Sequence, residues 1–224
     1  MRKVLGILSV LFVIVSCANA SLVSESASYS GDTNFQETLS VAQFDNSLGT
    51  LNSVKLTFDG WIISSVGFEN TNDGPYDADF FASLGWYSTI SNSVTLNITG
   101  GSTTYLGVTE NATSTAPNLD AYDGLTDYAG VSGLTEEIIN ENYQIIVTLT
   151  DPSELGGFTG SDFVDFTIDA SNSGLSSLMG ISSSFLSTQA GVSVLAEYDY
   201  TVPEPMTIAL LGLGGLFIRR RKSA

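Results

Sequence analysis

Twenty-four of the 224 residues are acidic and none is histidine. The commonest general base and the commonest transition-metal ligand are therefore missing. Carboxylates and aromatic rings are the groups left to do chemistry. Two aspartate runs stand out: Asp73, Asp77 and Asp79, then Asp120, Asp123 and Asp127 around Gly124. Hard cations take several oxygen ligands from one flexible loop, so both runs are candidate Ca²⁺ ligands. Neither has the spacing of a helix–loop–helix calcium loop, and a solvated acidic loop accounts for both equally simply. The neighbours Glu136 and Glu137 are a candidate acid pair for glycoside hydrolysis, which needs two carboxyl groups about 5–10 Å apart across a sugar. Acids are too abundant here for one adjacent pair to carry weight, and no enzyme is expected. Trp61, Trp86, Tyr87 and Tyr105 are either a carbohydrate-stacking platform or ordinary packing residues. Asn97-Ile98-Thr99 and Asn111-Ala112-Thr113 fit the N-glycosylation pattern.

The elements that would position these groups read as β-strands. Val54, Leu56 and Phe58 alternate with Ser53, Lys55 and Thr57, the period of a half-buried strand. Asp59-Gly60 reads as a hairpin turn, with Trp61 to Glu69 returning. Further strands are expected over Phe35–Phe44, Phe80–Ile90, Val94–Ile98, Thr103–Thr109, Tyr143–Thr150, Asp162–Ala170 and Val192–Tyr200. Asn111 to Gly133 reads as a long connection, and Glu136 to Ile139 as one helical turn or a strand start. Ser171 to Leu186 is rich in Ser and Gly and carries little signal. No helical periodicity of ten or more residues interrupts the strands. The expected fold class is all-β, an antiparallel two-sheet β-sandwich, jelly-roll-like, of eight to ten strands.

Charge is distributed unevenly. Of the seven basic residues, only Lys55 lies between the two terminal segments, while 23 of the 24 acids do. The body is a polyanion. It has no means of neutralising phosphates, so nucleic acid is excluded as a partner, and it repels anionic lipid head groups. The single cysteine, Cys17, lies near the N-terminus, so the body contains no internal disulfide.

Residues 1–20 have the form of a secretory signal: Arg2 and Lys3, an apolar run from Val4 to Val15, and the small-x-small site Ala18-Asn19-Ala20. A competing reading takes Ile14 to Cys17 as a lipoprotein box that lipidates Cys17. The expected organisation is a signal peptide at 1–20, a β-sandwich domain at 21–200 and a sorting or anchor segment at 201–224, with a hydrophobic helix at each end. The tail opens on Val202-Pro203-Glu204-Pro205, continues through the mostly apolar run Met206–Ile218, and ends on Arg219, Arg220, Arg221 and Lys222. As a helix those thirteen residues extend about 20 Å, short of the roughly 30 Å hydrocarbon core. Snorkelling basic side chains let the segment just reach across, and the arginines hold its end in the cytoplasm. Gly212, Gly214 and Gly215 weaken it as a permanent span.

This order of Pro-Glu-Pro, apolar run and basic end resembles the PEP-CTERM sorting signal of bacteria. The resemblance implies recognition by exosortase, a membrane-embedded protease, with export alongside extracellular polysaccharide. Phe44-Asp45-x-x-Leu48-Gly49-Thr50-Leu51-x-x-Val54-x-Leu56 followed by Phe68-Glu69-Asn70 resembles the choice-of-anchor E domain, a β-rich module with no assigned activity. The expectation is an exported protein of the envelope or extracellular matrix, anchored in the membrane in transit, with a structural or interaction role. The alternative is a carbohydrate- or Ca²⁺-binding module of that matrix; a secreted hydrolase is a more remote reading. Expected partners are an exosortase-like protease, the secretion machinery, the membrane before processing, and extracellular polysaccharide. No cofactor is expected apart from candidate Ca²⁺.

Overall fold

The structure is a computed structural model that describes residues 20–85, 88–178, 180–181 and 183–202. Among the described residues, eight strands run in chain order: β1 Ala20–Asp32, β2 Phe35–Ala42, β3 Thr50–Glu69, β4 Thr89–Gly100, β5 Thr103–Thr115, β6 Gly133–Leu149, β7 Phe163–Ser177 and β8 Ser183–Thr201. Two short helices intervene, α1 Ala78–Ser83 and α2 Pro152–Leu155, the latter followed by a 3₁₀ turn at Gly156–Phe158. The strands form two four-stranded antiparallel sheets, ordered β1-β8-β3-β6 and β2-β7-β4-β5. Each sheet alternates strands from the first and second halves of the chain, which is the jelly-roll topology. The expected all-β sandwich is therefore the observed one. The two terminal helices of that expectation lie outside the described residues.

The sheets bury alternating apolar residues between them. In β7, Phe166 and Ile168 face the interior while Phe163 is 60% exposed, as the alternation of 162–170 requires. The core has two parts. The larger one holds Val54, Leu56, Phe58, Leu96, Phe166 and Tyr198. The smaller one holds Val66, Phe68, Tyr76, Ile90, Leu119 and Ile181. A buried polar cluster separates them. Asn92 donates through Nδ2 to Ser64 Oγ at 2.6 Å and to Thr188 Oγ1 at 2.9 Å, and the two hydroxyls share a hydrogen bond at 3.0 Å.

Three local expectations are corrected, and one open alternative is decided. Asp59-Gly60 is not a turn: β3 runs through it for 20 residues, paired on both sides with β6 and β8. A Cβ on Gly60 would stand 3.1 Å from Leu96 Cδ2 and from Leu106 Cδ2 in the facing sheet. Glycine is used there for close sheet-to-sheet approach rather than for a reversal. Phe80 does not begin a strand. Asp77 Oδ1 accepts from the Phe80 N–H at 2.9 Å and caps α1, so the strand starts only at Thr89. The long connection contracts to residues 116–132, because β5 continues to Thr115 and β6 starts at Gly133. Of the two readings of Glu136 to Ile139, the strand is the observed one: they belong to β6, where a bulge opposite Ser64 and Ser65 interrupts the register.

Candidate functional site

The tail leaves the domain from a fixed point. Thr201, the last residue of β8, pairs with Ala20 of β1 on one side and Thr50 of β3 on the other. Its hydroxyl accepts from Asn52 Nδ2 at 2.9 Å. A side chain at Gly49 would collide with the Thr201 carbonyl. Beneath it, the Phe44 and Tyr200 rings lie 5.0 Å apart, and the buried Tyr198 donates its hydroxyl proton to the Ala42 carbonyl at 2.7 Å. Asp45 forms the adjoining turn: its carboxylate accepts from the Ser47 N–H at 2.8 Å, which holds its pKa below the usual carboxylate value. Val202 is exposed directly after the strand. Pro203, Glu204, Pro205, Arg219, Arg220 and Arg221 lie outside the described residues, as does Ala18. Ala20 begins β1.

The aromatic candidates separate. Tyr105 is half-buried on the inner face and packs against the core, stacked 5.1 Å from Phe58 and edge-on to Phe166, so it serves no outer-face platform. Burial pushes its phenol pKa up, with Glu154 adding to the effect. Trp86 and Tyr87 lie outside the described residues. Trp61 is on the outer face of the β1-β8-β3-β6 sheet, where β3 places it beside Gly191 of β8 and Asn142 of β6. Its indole covers Gly191, where a Cβ would collide with the ring. Two residues back along the strand, on the same face, Asp59 stands between Ser193 and Gln144, and Gln144 Nε2 donates to Asp59 Oδ1 at 2.7 Å. These residues line an open groove of about 600 Å³ that crosses all four strands.

The acidic candidates do not converge. Asp77 is the cap of α1 and Asp79 lies in its first turn. Asp123 accepts from the Leu125 N–H at 2.9 Å, and Asp127 accepts from the Ala129 N–H at 3.0 Å. Asp120 contributes its backbone, the carbonyl accepting from Asn70 Nδ2 at 2.7 Å. Among the described residues, Asp73 included, no group of three or more acidic side chains is placed to hold a metal ion. Glu136 and Glu137 have different partners: the first accepts from Ser114 Oγ at 2.7 Å, the second from Asn140 Nδ2 at 2.6 Å. As strand neighbours they do not flank one substrate.

Comparison with known proteins bears on the tail. Residues 201–222 match the PEP-CTERM protein-sorting motif. The motif implies export, membrane anchoring before processing, and exosortase-like sorting machinery as a partner. The match ends at the sorting motif, and the choice-of-anchor E resemblance of the body is not shown by it. No curated protein matches the chain. Among solved structures, the chain is similar to that of Desmodium yellow mottle tymovirus at 8% identity, over 84% of this chain and 91% of that one, with a TM-score of 0.24. It is also similar to infectious bursal disease virus, Gx strain, at 11% identity, over 84% of this chain and 37% of that one, with a TM-score of 0.19. The jelly-roll assignment stands on strand order, independently of these likenesses.

One polar site escaped the reading of single residues. Glu69, buried at the end of β3, accepts from the Tyr128 N–H and from Ser132 Oγ, each at 2.7 Å. Asn70 beside it is also buried. It donates to the carbonyls of Gly74 and Asp120, and it accepts from the Asn72 N–H at 3.1 Å. Gly133 has no room for a side chain, which would meet Ala129 and the Glu69 carboxylate. The pair ties the loops at 70–77 and 116–132 to the sheet. The only sequence signal for it is the Phe68-Glu69-Asn70 triplet; burial of a glutamate is not legible from its type.

Proposed function

We propose that this chain is an exported protein of the bacterial envelope or extracellular matrix, delivered by its sorting motif to serve a structural or interaction role without catalysis. The observation that carries the reading is the motif at 201–222, which begins on the last paired residue of β8. A sorting enzyme acting there releases the whole jelly roll and removes nothing that its core needs. The final location, cell surface or matrix, follows from that release. The non-catalytic role is supported by the lack of histidine and by the separate partners of Glu136 and Glu137. Mass spectrometry of the protein from its native host tests the reading. The expected mature form lacks the apolar run after Pro205 and the arginines. A combined Pro203→Ala, Glu204→Ala and Pro205→Ala variant is expected to keep them. A wild-type chain intact through Ala224 overturns the proposal.

A further inference from the structure

The groove around Trp61 has the chemistry of a glycan site, and we infer that it binds a neutral pyranose chain. This deepens the proposed interaction role and rests on it.

A tryptophan on the outer face of a sheet needs an explanation, because its apolar area gains nothing there from the core. Here the indole covers Gly191, where even a methyl group would collide, so the backbone of β8 is built to receive the ring. Its surroundings hold no basic residue and mix apolar with polar groups. Asp59, Asn142, Gln144, Ser28 and Ser193 line the same groove, and β1 presents serine at every second residue from Ser24 to Ser30. An indole bordered by amide, carboxylate and hydroxyl groups suits a pyranose. Carbon-bound hydrogens on one sugar face pack on the ring, and the equatorial hydroxyls reach the polar side chains. A volume of about 600 Å³ is within the usual range of ligand clefts. The groove is open and crosses four strands, which suits a chain segment more than an enclosed small molecule.

Charge selects the class of glycan. Lys55 is the body's only cation in the sequence, and Glu197 holds it at 2.7 Å four residues along the strand from Asp59. With Asp59 in the groove and no free cation beside it, a polyuronate or sulfated chain would be repelled. A neutral chain pays no such penalty.

The test is titration of the full-length protein with cello-, laminari- and malto-oligosaccharides, followed by calorimetry and tryptophan fluorescence, with oligogalacturonate as the anionic comparison and chitosan oligomers as the cationic one. At least one neutral series is expected to bind. Trp61→Ala is expected to weaken that binding about tenfold or more, and Trp61→Tyr to retain part of it. Gln144→Ala and Asn142→Ala, both at exposed positions, should each lower affinity severalfold without changing the melting temperature. These two keep the test decisive if Trp61→Ala unfolds. Binding of no neutral series, binding of only the charged oligomers, or neutral binding unchanged by all the variants overturns the inference. Mass spectrometry of the C-terminus is indifferent to these results, so loss of the glycan site and loss of the sorting role are separately visible.

Discussion

Tyr198 shows how one residue joins the two sheets of this molecule near the base of its tail. The ring is fully buried, and its hydroxyl donates to the Ala42 carbonyl across the sandwich. Burial pushes its pKa up to about 12, with the negative charge of Glu25 a smaller contribution. In the unfolded chain the same phenol titrates near 10. Between those values the unfolded state gives up a proton that the folded state keeps, so stability falls as pH rises. Tyr143 shifts in the same direction, through burial first and then its hydrogen bond to Glu110. Urea unfolding is therefore expected to show a loss of stability between about pH 10 and about pH 12. Tyr198→Phe should cost about 1 kcal/mol at neutral pH through the lost hydrogen bond. That difference should shrink at the alkaline end, where only the wild type has this proton to lose.

At the scale of elements, β3 organises the fold. It is central in its sheet and pairs with β6 and β8 along nearly its whole length. Its ends are fastened by different means. At the start, the Asp45 turn and Gly49 fit against the end of β8; at the finish, Glu69 and Asn70 hold the loops in place. Amide exchange distinguishes a continuous strand from a hairpin: the amides of Asp59 to Trp61 should be as protected as those of Leu56 to Phe58. Glu69→Ala leaves the Tyr128 N–H and the Ser132 hydroxyl without their acceptor. The expected cost is about 3 kcal/mol, with protection lost first over 116–132.

At the scale of the molecule, the two chain ends of the domain meet. Ala20 and Thr201 are paired residues, so the first and last described strands of the domain begin and end at one corner of one sheet. One exposed residue, Val202, separates that corner from Pro203. A membrane-embedded sorting enzyme must then work close against a folded domain of strongly negative charge, which anionic lipid repels. Insertion of a short Gly/Ser linker between Val202 and Pro203 is expected to speed removal of the tail in the native host, read as the ratio of precursor to mature form on a gel. An unchanged ratio would show that the crowded junction does not limit processing.

The sequence by itself determined the sorting motif and the fold class. Pro203, Glu204, Pro205 and the arginines are read as a linear signal, and alternation such as Phe163 to Asp169 follows from the two-residue period of a strand; both are local, and local order survives in a string of letters. What only the tertiary structure decided is where distant residues meet. Asp59-Gly60 has the letters of a turn, yet pairing with β6 and β8 and the approach of Leu96 and Leu106 keep it extended. Phe80 has the letters of a strand, yet the Asp77 cap turns the chain into a helix. Tyr105 and Trp61 are alike as aromatics on paper. One packs against the core from the inner face and the other lies on an outer face beside Asp59, Asn142 and Gln144, because sheet register assigns each side chain its face and its neighbours.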